Sequence, residues 1–447
     1  MRRVSGFTGF SVLWIGQMLS AVGTRMTTFA IGIWLWQKTE SATAVTLLAF
    51  VAFGSTILFS PIAGALVDRW SRRVTIVAAD VGTAVATAIL LAVYLFGHVD
   101  LWLIYVVNFA TGAFLSFQVP AYTATITGMV RKEGWTRANA MIGMLRAAPA
   151  IFAPAIAAPL MATVGVEPIL AIQVVACLIA TAVMFAVALP PLPPRDETTD
   201  KPGFLRDTTM AFGYIAARPS LRGLLFITFS ISFLSAVGWV LFAPMILART
   251  GNDSNAVGIV QVVGAIGGTV AGIWLATLKP TPHMVRRMLI GVLVLAIPGR
   301  MLFGFDSVLI WSIALALGWG AIPFIDGYNQ TIWQAKVPRA LQGRVFAAQQ
   351  AAENVALPIA YISAGLLADH LLEPAMRSDG VLAAIFGPIT GTGPGTGIAV
   401  LYVLSGAAAV LLAVYGFLTP AIRDAEKLLP DQAVEGAAEP QPQDADR

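Results

Sequence analysis

Gly64-Ala65-Leu66-Val67-Asp68-Arg69-Trp70-Ser71-Arg72-Arg73 packs four charges into ten residues, and long apolar runs flank it on both sides. Such charges cannot rest in hydrocarbon, so the stretch predicts a tight polar hairpin between two membrane helices. The composition agrees. The chain has 447 residues, 57% hydrophobic and 12% charged, with a mean hydropathy of +0.78. A soluble domain carries about 25% charged residues, so a polytopic, all-α membrane protein set in a lipid bilayer is predicted.

Working outward, twelve stretches are long enough to span, given that about 20 residues are needed. They run 10–37, 42–65, 74–97, 101–126, 138–164, 167–189, 222–248, 256–278, 285–304, 307–330, 345–367 and 396–418. The even-numbered loops, with the span ends that flank them, carry seventeen Lys and Arg, and the odd-numbered loops carry only Lys38, Arg249 and Arg377. The positive-inside rule then predicts that both termini are cytoplasmic. Arg2 and Arg3 precede an apolar run without a small-residue cleavage site, so that run reads as a retained helix.

Between spans six and seven lies Pro190-Pro191-Leu192-Pro193-Pro194, followed by the polar run Arg195 to Lys201. This divides the chain into a six-helix half at 1–189, a cytoplasmic linker at 190–221 with an amphipathic piece near 203–217, and a second half at 222–418. A disordered tail is expected at 419–447, which is rich in Ala, Pro, Gln and acids. A faint internal repeat supports the two halves. Tyr122-x-x-Thr125-Ile126 recurs as Tyr328-x-x-Thr331-Ile332, and Gly64 has a counterpart in Gly272.

No enzyme chemistry emerges. The chain has no Gly-Lys dipeptide, so a phosphate loop using ATP is not expected. His98, His283 and His370 are expected in loops without ligand-spaced partners, and Cys177 reads as a core residue, so no metal or cofactor is expected. The glycine-rich Gly391 to Gly397 reads as a connection into the last span. The net charge of +4 lies in short clusters rather than along one face, which argues against nucleic acid as a partner.

What remains is charge inside the spans: Arg25, Arg146 and Arg300 with Asp80, Asp326 and Glu353. Burying any one costs about 2.5–3.5 kcal/mol on insertion scales, so each needs a partner, a wet cavity or a route for snorkelling. Arg25 lies roughly 22 Å into the first span at 1.5 Å per residue, beside a polar stripe of Gln17, Ser20 and Thr24. It reads as a substrate-path residue or as a structural tie between helices. Arg146 lies near Pro149, Pro154 and Pro159, which should bend the fifth span. Glu353, beside Gln349, Gln350 and Asn354, is a carboxyl that could bind and release a proton. Asp326 neighbours Asn329 and Gln330. Asp80 is expected to brace Arg72 or Arg73, and Arg300 to snorkel toward the outer surface.

The spacing Gly-x-Leu-x-Asp-Arg-x-x-Arg-Arg resembles the loop 2–3 signature of the major facilitator superfamily of secondary transporters, with Ser71 replacing a second Gly. The resemblance extends over about 7–420. It includes Gly16-Gln17 with Ser20 and Gly23, Pro120-Ala121-Tyr122, and Val337-Pro338 with Gly343-Arg344-Val345. Ala153-Pro154-Ala155-Ile156-Ala157-Ala158 is similar to the fifth-span motif of the family's antiporters, with Ala for every Gly. Asn108, four residues before Gly112, stands where drug–proton antiporters have an Arg. The chain looks most like the bacterial branch of macrolide-efflux and siderophore-export permeases, where Thr24 and Arg25 replace a frequent acid.

This resemblance implies a cavity lined by spans one, four, seven and ten. It implies a substrate and coupling path through Arg25, Gln17, Thr24, Asn108, Arg146, Asp326 and Glu353. A cytoplasmic gate would involve Gly64, Asp68, Arg69, Arg72, Arg73, Asp80 and Arg344. Asp68 would dock on the first turn of span eleven and stabilise the outward-open state. The expected function is export of amphipathic small molecules (drug, siderophore or other natural product) from a bacterial cytoplasm, by alternating access with protons as the coupling ion. An uptake symporter, a lipid flippase and a non-transporting receptor or scaffold remain open.

Overall fold

The structure, a computed structural model, describes residues 6–67, 70–97, 99–130, 135–189, 204–279 and 281–428. The N-terminal half comprises α1 (Gly6–Thr39), α2 (Ala42–Val67), α3 (Arg72–Leu95), α4 (Leu101–Met129), α5 (Trp135–Thr163) and α6 (Glu167–Ala186). The short helix α7 (Phe204–Ala216) leads into α8 (Pro219–Arg249), α9 (Ser254–Thr277), α10 (Met284–Arg300), α11 (Val308–Lys336) and α12 (Arg339–Leu366). After α13 (Glu373–Ala375) and α14 (Ala383–Thr390) comes the last long helix, α15 (Thr396–Leu418). Twelve helices among the described residues are long and apolar enough to cross a membrane, and they match the predicted spans in order and number. The protein is an integral membrane protein.

Backbone chemistry explains where the ends fall. A spanning segment must satisfy its own amides, so the helices continue through prolines wherever packing allows. Thus α5 remains one helix through Pro149, Pro154 and Pro159. Span eleven begins at Arg339 directly after Pro338, not near Gly343, because proline cannot continue the preceding helix and starts the new one. Its far end widens into a π-helical stretch at Leu367–Leu372, which places Asp369 and His370 in the helix rather than in a loop.

With twelve spans between them, the first and last described residues, Gly6 and Leu428, fall on one face of the bundle, here the terminal face, and the opposite face is distal. One apolar core fills the distal side and joins the halves. It brings Met26, Ile33 and Trp36 of α1 together with Val240, Met245 and Ile246 of α8 and Tyr361 and Ala368 of the α12 region. On the terminal side the described apolar residues form two clusters. One cluster belongs to the N-terminal half around Phe10, Leu13 and Ile76, and another to the C-terminal half around Ile227, Leu289 and Trp333.

The tail expected from 419 is ordered at its start. Two short helices, α16 (Pro420–Arg423) and α17 (Ala425–Leu428), return to the bundle. Ile422 and Ala425 are buried, Lys336 Nζ donates to the Glu426 carbonyl at 2.6 Å, and the Val285 amide donates to Glu426 Oε1 at 2.9 Å. Residues 429–447 lie outside the described residues.

Candidate functional site

Polar residues of α1 divide between its neighbours. Gln17 Nε2 donates to Asp80 Oδ2 at 3.0 Å, and Ser20 Oγ donates to Asp80 Oδ1 at 3.3 Å. From α4, Gln118 Nε2 donates to Asp80 Oδ1 at 2.7 Å and to Gln17 Oε1 at 3.1 Å. Asp80 is 1% exposed, so its oxygens need protein donors, and three neutral side chains supply them. Among the described residues no Lys or Arg contacts it. The expected brace to Arg72 or Arg73 is therefore corrected. Eight residues separate Asp80 from Arg72, about 12 Å along the axis at 1.5 Å per residue, which carries the carboxylate into the bundle. Arg73 instead donates to the carbonyl of Val187 at the end of α6.

Thr24 faces α6, where its Oγ1 accepts from Gln173 Nε2 at 2.9 Å. The intervening Gly23 permits that approach, since a Cβ there would lie 2.7 Å from Gln173 Oε1. Cys177 is buried beside the same groups, 3.4 Å from Gln173 Nε2.

Arg25 turns the other way, into a cavity of about 590 Å³ walled by α1, α2, α4 and α5. Its side chain is exposed there and makes no hydrogen bond or ion pair with a described residue. It is the only charged residue among the described residues that line the cavity. Asn108 lines the same space, with its Nδ2 turned back to the Ile104 carbonyl at 2.9 Å. Gly112, one turn further, lets α4 press on α2, because a Cβ would meet Ser55 Oγ at 2.1 Å and the Ala52 carbonyl at 2.3 Å. Arg146 lies in register between Leu145 and Pro149, which line the cavity, but its side chain is outside the described residues.

The acids of the C-terminal half sit apart from this cavity. Asp326 of α11 and Glu353 of α12 are within electrostatic reach of each other, and Glu353 Oε1 accepts from Gln349 Nε2 at 3.2 Å. Arg300 does not snorkel. It is 4% exposed, directed inward against Gly238 and Tyr402, and donates to Ser405 Oγ at 3.2 Å. Arg300 lines a small cavity of about 50 Å³ together with Trp239 and Trp319.

Of the expected gate, Asp68 and Arg69 lie outside the described residues. Gly64 is in the last turn of α2, Arg72 opens α3, and Arg344 is exposed in the second turn of α12. At the distal face the same two helices meet through a carboxylate that sequence reasoning missed. Asp369 Oδ1 accepts from the Ala42 amide at 3.0 Å, and Oδ2 accepts from the Thr43 amide at 2.8 Å and from Ser41 Oγ at 2.7 Å. These amides are the unpaired donors at the start of α2. Ser254 Oγ of α9 also crosses between the halves, donating to the Ala158 carbonyl of α5 at 3.1 Å.

Comparison with known proteins places this architecture. Macrolide efflux protein A of Streptococcus pyogenes is 24% identical over 364 residues, covering 81% of this chain and 90% of that protein. Enterobactin exporter EntS of Shigella flexneri is 24% identical over 339 residues, covering 75% of this chain and 79% of its own. Among solved structures, nucleoside transporter NupG superposes with a TM-score of 0.69 at 10% identity, covering 91% of this chain and 98% of that one. A bacterial homologue of the human lysosomal transporter Spinster gives 0.66 at 16% identity, covering 94% and 97%. With a family model that matches residues 13–361, the chain belongs to the Major Facilitator Superfamily.

Proposed function

We propose that this transporter exports amphipathic small molecules from a bacterial cytoplasm by alternating access, coupled to proton entry. The observation that supports the reading is the uneven joining of the halves among the described residues: one shared apolar core on the distal side, two separate clusters on the terminal side. That is the arrangement of one end state of a rocking bundle, closed distally around a cavity near the midplane. With the terminal face in the cytoplasm, as the Lys and Arg distribution argues, this end state is inward-facing. Export as the direction is supported by the likeness to macrolide and enterobactin exporters.

The transport path runs past Arg25, Gln17, Thr24, Asn108 and Arg146. Asp326 and Glu353 are the proton-exchange candidates, because each lies inside a span and they are near enough to influence each other. One proton moving down 100 mV yields about 2.3 kcal/mol, which supports an outward gradient of about fiftyfold. Growth of an expressing strain on a panel of toxic compounds, with and without an uncoupler, tests the reading. Resistance that the uncoupler abolishes is expected. Increased sensitivity would indicate uptake, and no change for any compound would favour a lipid substrate or a receptor.

A further inference from the structure

We infer that the transported molecule is an organic anion whose acid group is held by Arg25. This deepens the reading of the N-terminal cavity as part of the transport path and rests on it. The cavity of about 590 Å³ is of the size that encloses a drug-sized ligand. Its walls combine apolar Phe53, Leu115 and Leu145 with neutral Thr56 and Thr111. Against that lining, Arg25 is the one charge among the described residues.

A guanidinium inside a membrane protein normally has a carboxylate or carbonyl partner, and Arg25 has none among the described residues. Asp80 of α3, which side chains of α1 reach, is enclosed by Gln17, Ser20 and Gln118 and does not serve it. Without a protein partner among the described residues, the cation depends on water for its solvation. A bound molecule that displaces this water leaves the cation uncompensated unless it brings a negative group of its own. An amine in the same place would meet like charge in a poorly screened space. An acid would meet five N–H donors in a fork matched to carboxylate geometry.

The test uses purified full-length protein and a matched probe set: 1-naphthaleneacetate, its primary amide and 1-naphthylethylamine. Binding is read as a thermal shift over a concentration series. The acid should bind the parent about tenfold or more tighter than the amide, and the amine should bind least. Arg25→Gln should erase the preference for the acid while leaving the weak binding of the amide in place. Arg25→Lys should restore part of it. Equal binding of the three probes, or an acid preference that survives Arg25→Gln, overturns the inference.

A second arm adds phosphatidylglycerol to nanodiscs of neutral lipid. Loss of the acid's binding there, competed by the lipid alone, would place a lipid headgroup at Arg25 and also overturn it. The wider exporter reading fails separately, when expressing cells extrude no compound of any charge.

Discussion

Arg25 and Asp80 carry opposite charges on the same half of the bundle and do not pair. Ser20, which bonds Asp80, is five residues from Arg25, about 7.5 Å along α1. Three neutral donors satisfy Asp80 without an arginine, and this leaves Arg25 to the cavity. Each residue then has a distinct mutational signature. Asp80→Leu removes the acceptor from the buried donors of Gln17 and Ser20 and from half-buried Gln118, and each buried donor costs about 1–3 kcal/mol when unmet, so thermal stability in detergent should fall steeply. Asp80→Asn keeps the shape and one acceptor oxygen and should fall by about 1–3 kcal/mol. Equal melting of both variants and the parent would show that the cluster contributes nothing. Arg25→Ala removes no partner, so its stability should stay within about 0.5 kcal/mol of the parent while transport is lost. If Arg25→Ala instead vanished from the membrane, its role would be structural. Both residues were visible in the sequence as charges in apolar spans. Gln118 and Gln173 were not, because a neutral amide in a span is unremarkable until the helix facing it is known.

At the scale of elements, a carboxylate joins the start of α2 to the π-helical end of α12 at the distal face, and we propose on the family resemblance that Asp68 does the same at the terminal face. Asp369 holds two amides and a hydroxyl of the α2 start. The interaction with the helix dipole is worth about 0.3–1 kcal/mol, and up to ~2 when partly buried, before the hydrogen bonds themselves are counted. Its glycine neighbour makes the contact possible. Gly365 touches α2 so closely that a Cβ would lie 2.7 Å from the Thr43 Cα. The bond can exist only while the distal side is closed. Asp369→Asn should therefore raise the distal-open population about tenfold for each ~1.4 kcal/mol lost. Spin labels at the distal ends of α2 and α12 would report it as longer distances. Asp68→Asn should shift the population the other way if Asp68 latches the terminal side. Two variants that both leave the distance distribution of the parent unchanged would overturn both contacts as latches. The sequence pointed to the terminal carboxylate through its family spacing. It was silent on Asp369, since the π-helical turn that carries it has no sequence signature.

For the whole molecule, the twelve spans were legible because hydrocarbon imposes a length and excludes charge, and both constraints are written in composition. Boundaries deviated where tertiary packing intervened: α12 gained a turn before Gly343, and Ile422 and Ala425 anchored a segment that composition alone marks as tail. Conformation was not legible, because apolar composition marks a seam residue and a lipid-facing residue alike. The Lys and Arg distribution predicts an orientation, and it can be tested directly. The test needs sites that the structure leaves accessible. Thr43, in the first turn of α2, has its amide bonded to Asp369 and its side chain packed at the seam, so a cysteine there would report latch opening rather than sidedness. Lys38 and Gly393 are exposed on the distal face and Ser71 on the terminal face. In a Cys177→Ser background, Lys38→Cys and Gly393→Cys should react in intact cells with an impermeant maleimide. Ser71→Cys should react only after the membrane is permeabilised. The reverse pattern would invert the molecule, turn the distal-closed state into an outward-facing one, and make Arg25 accessible first from outside.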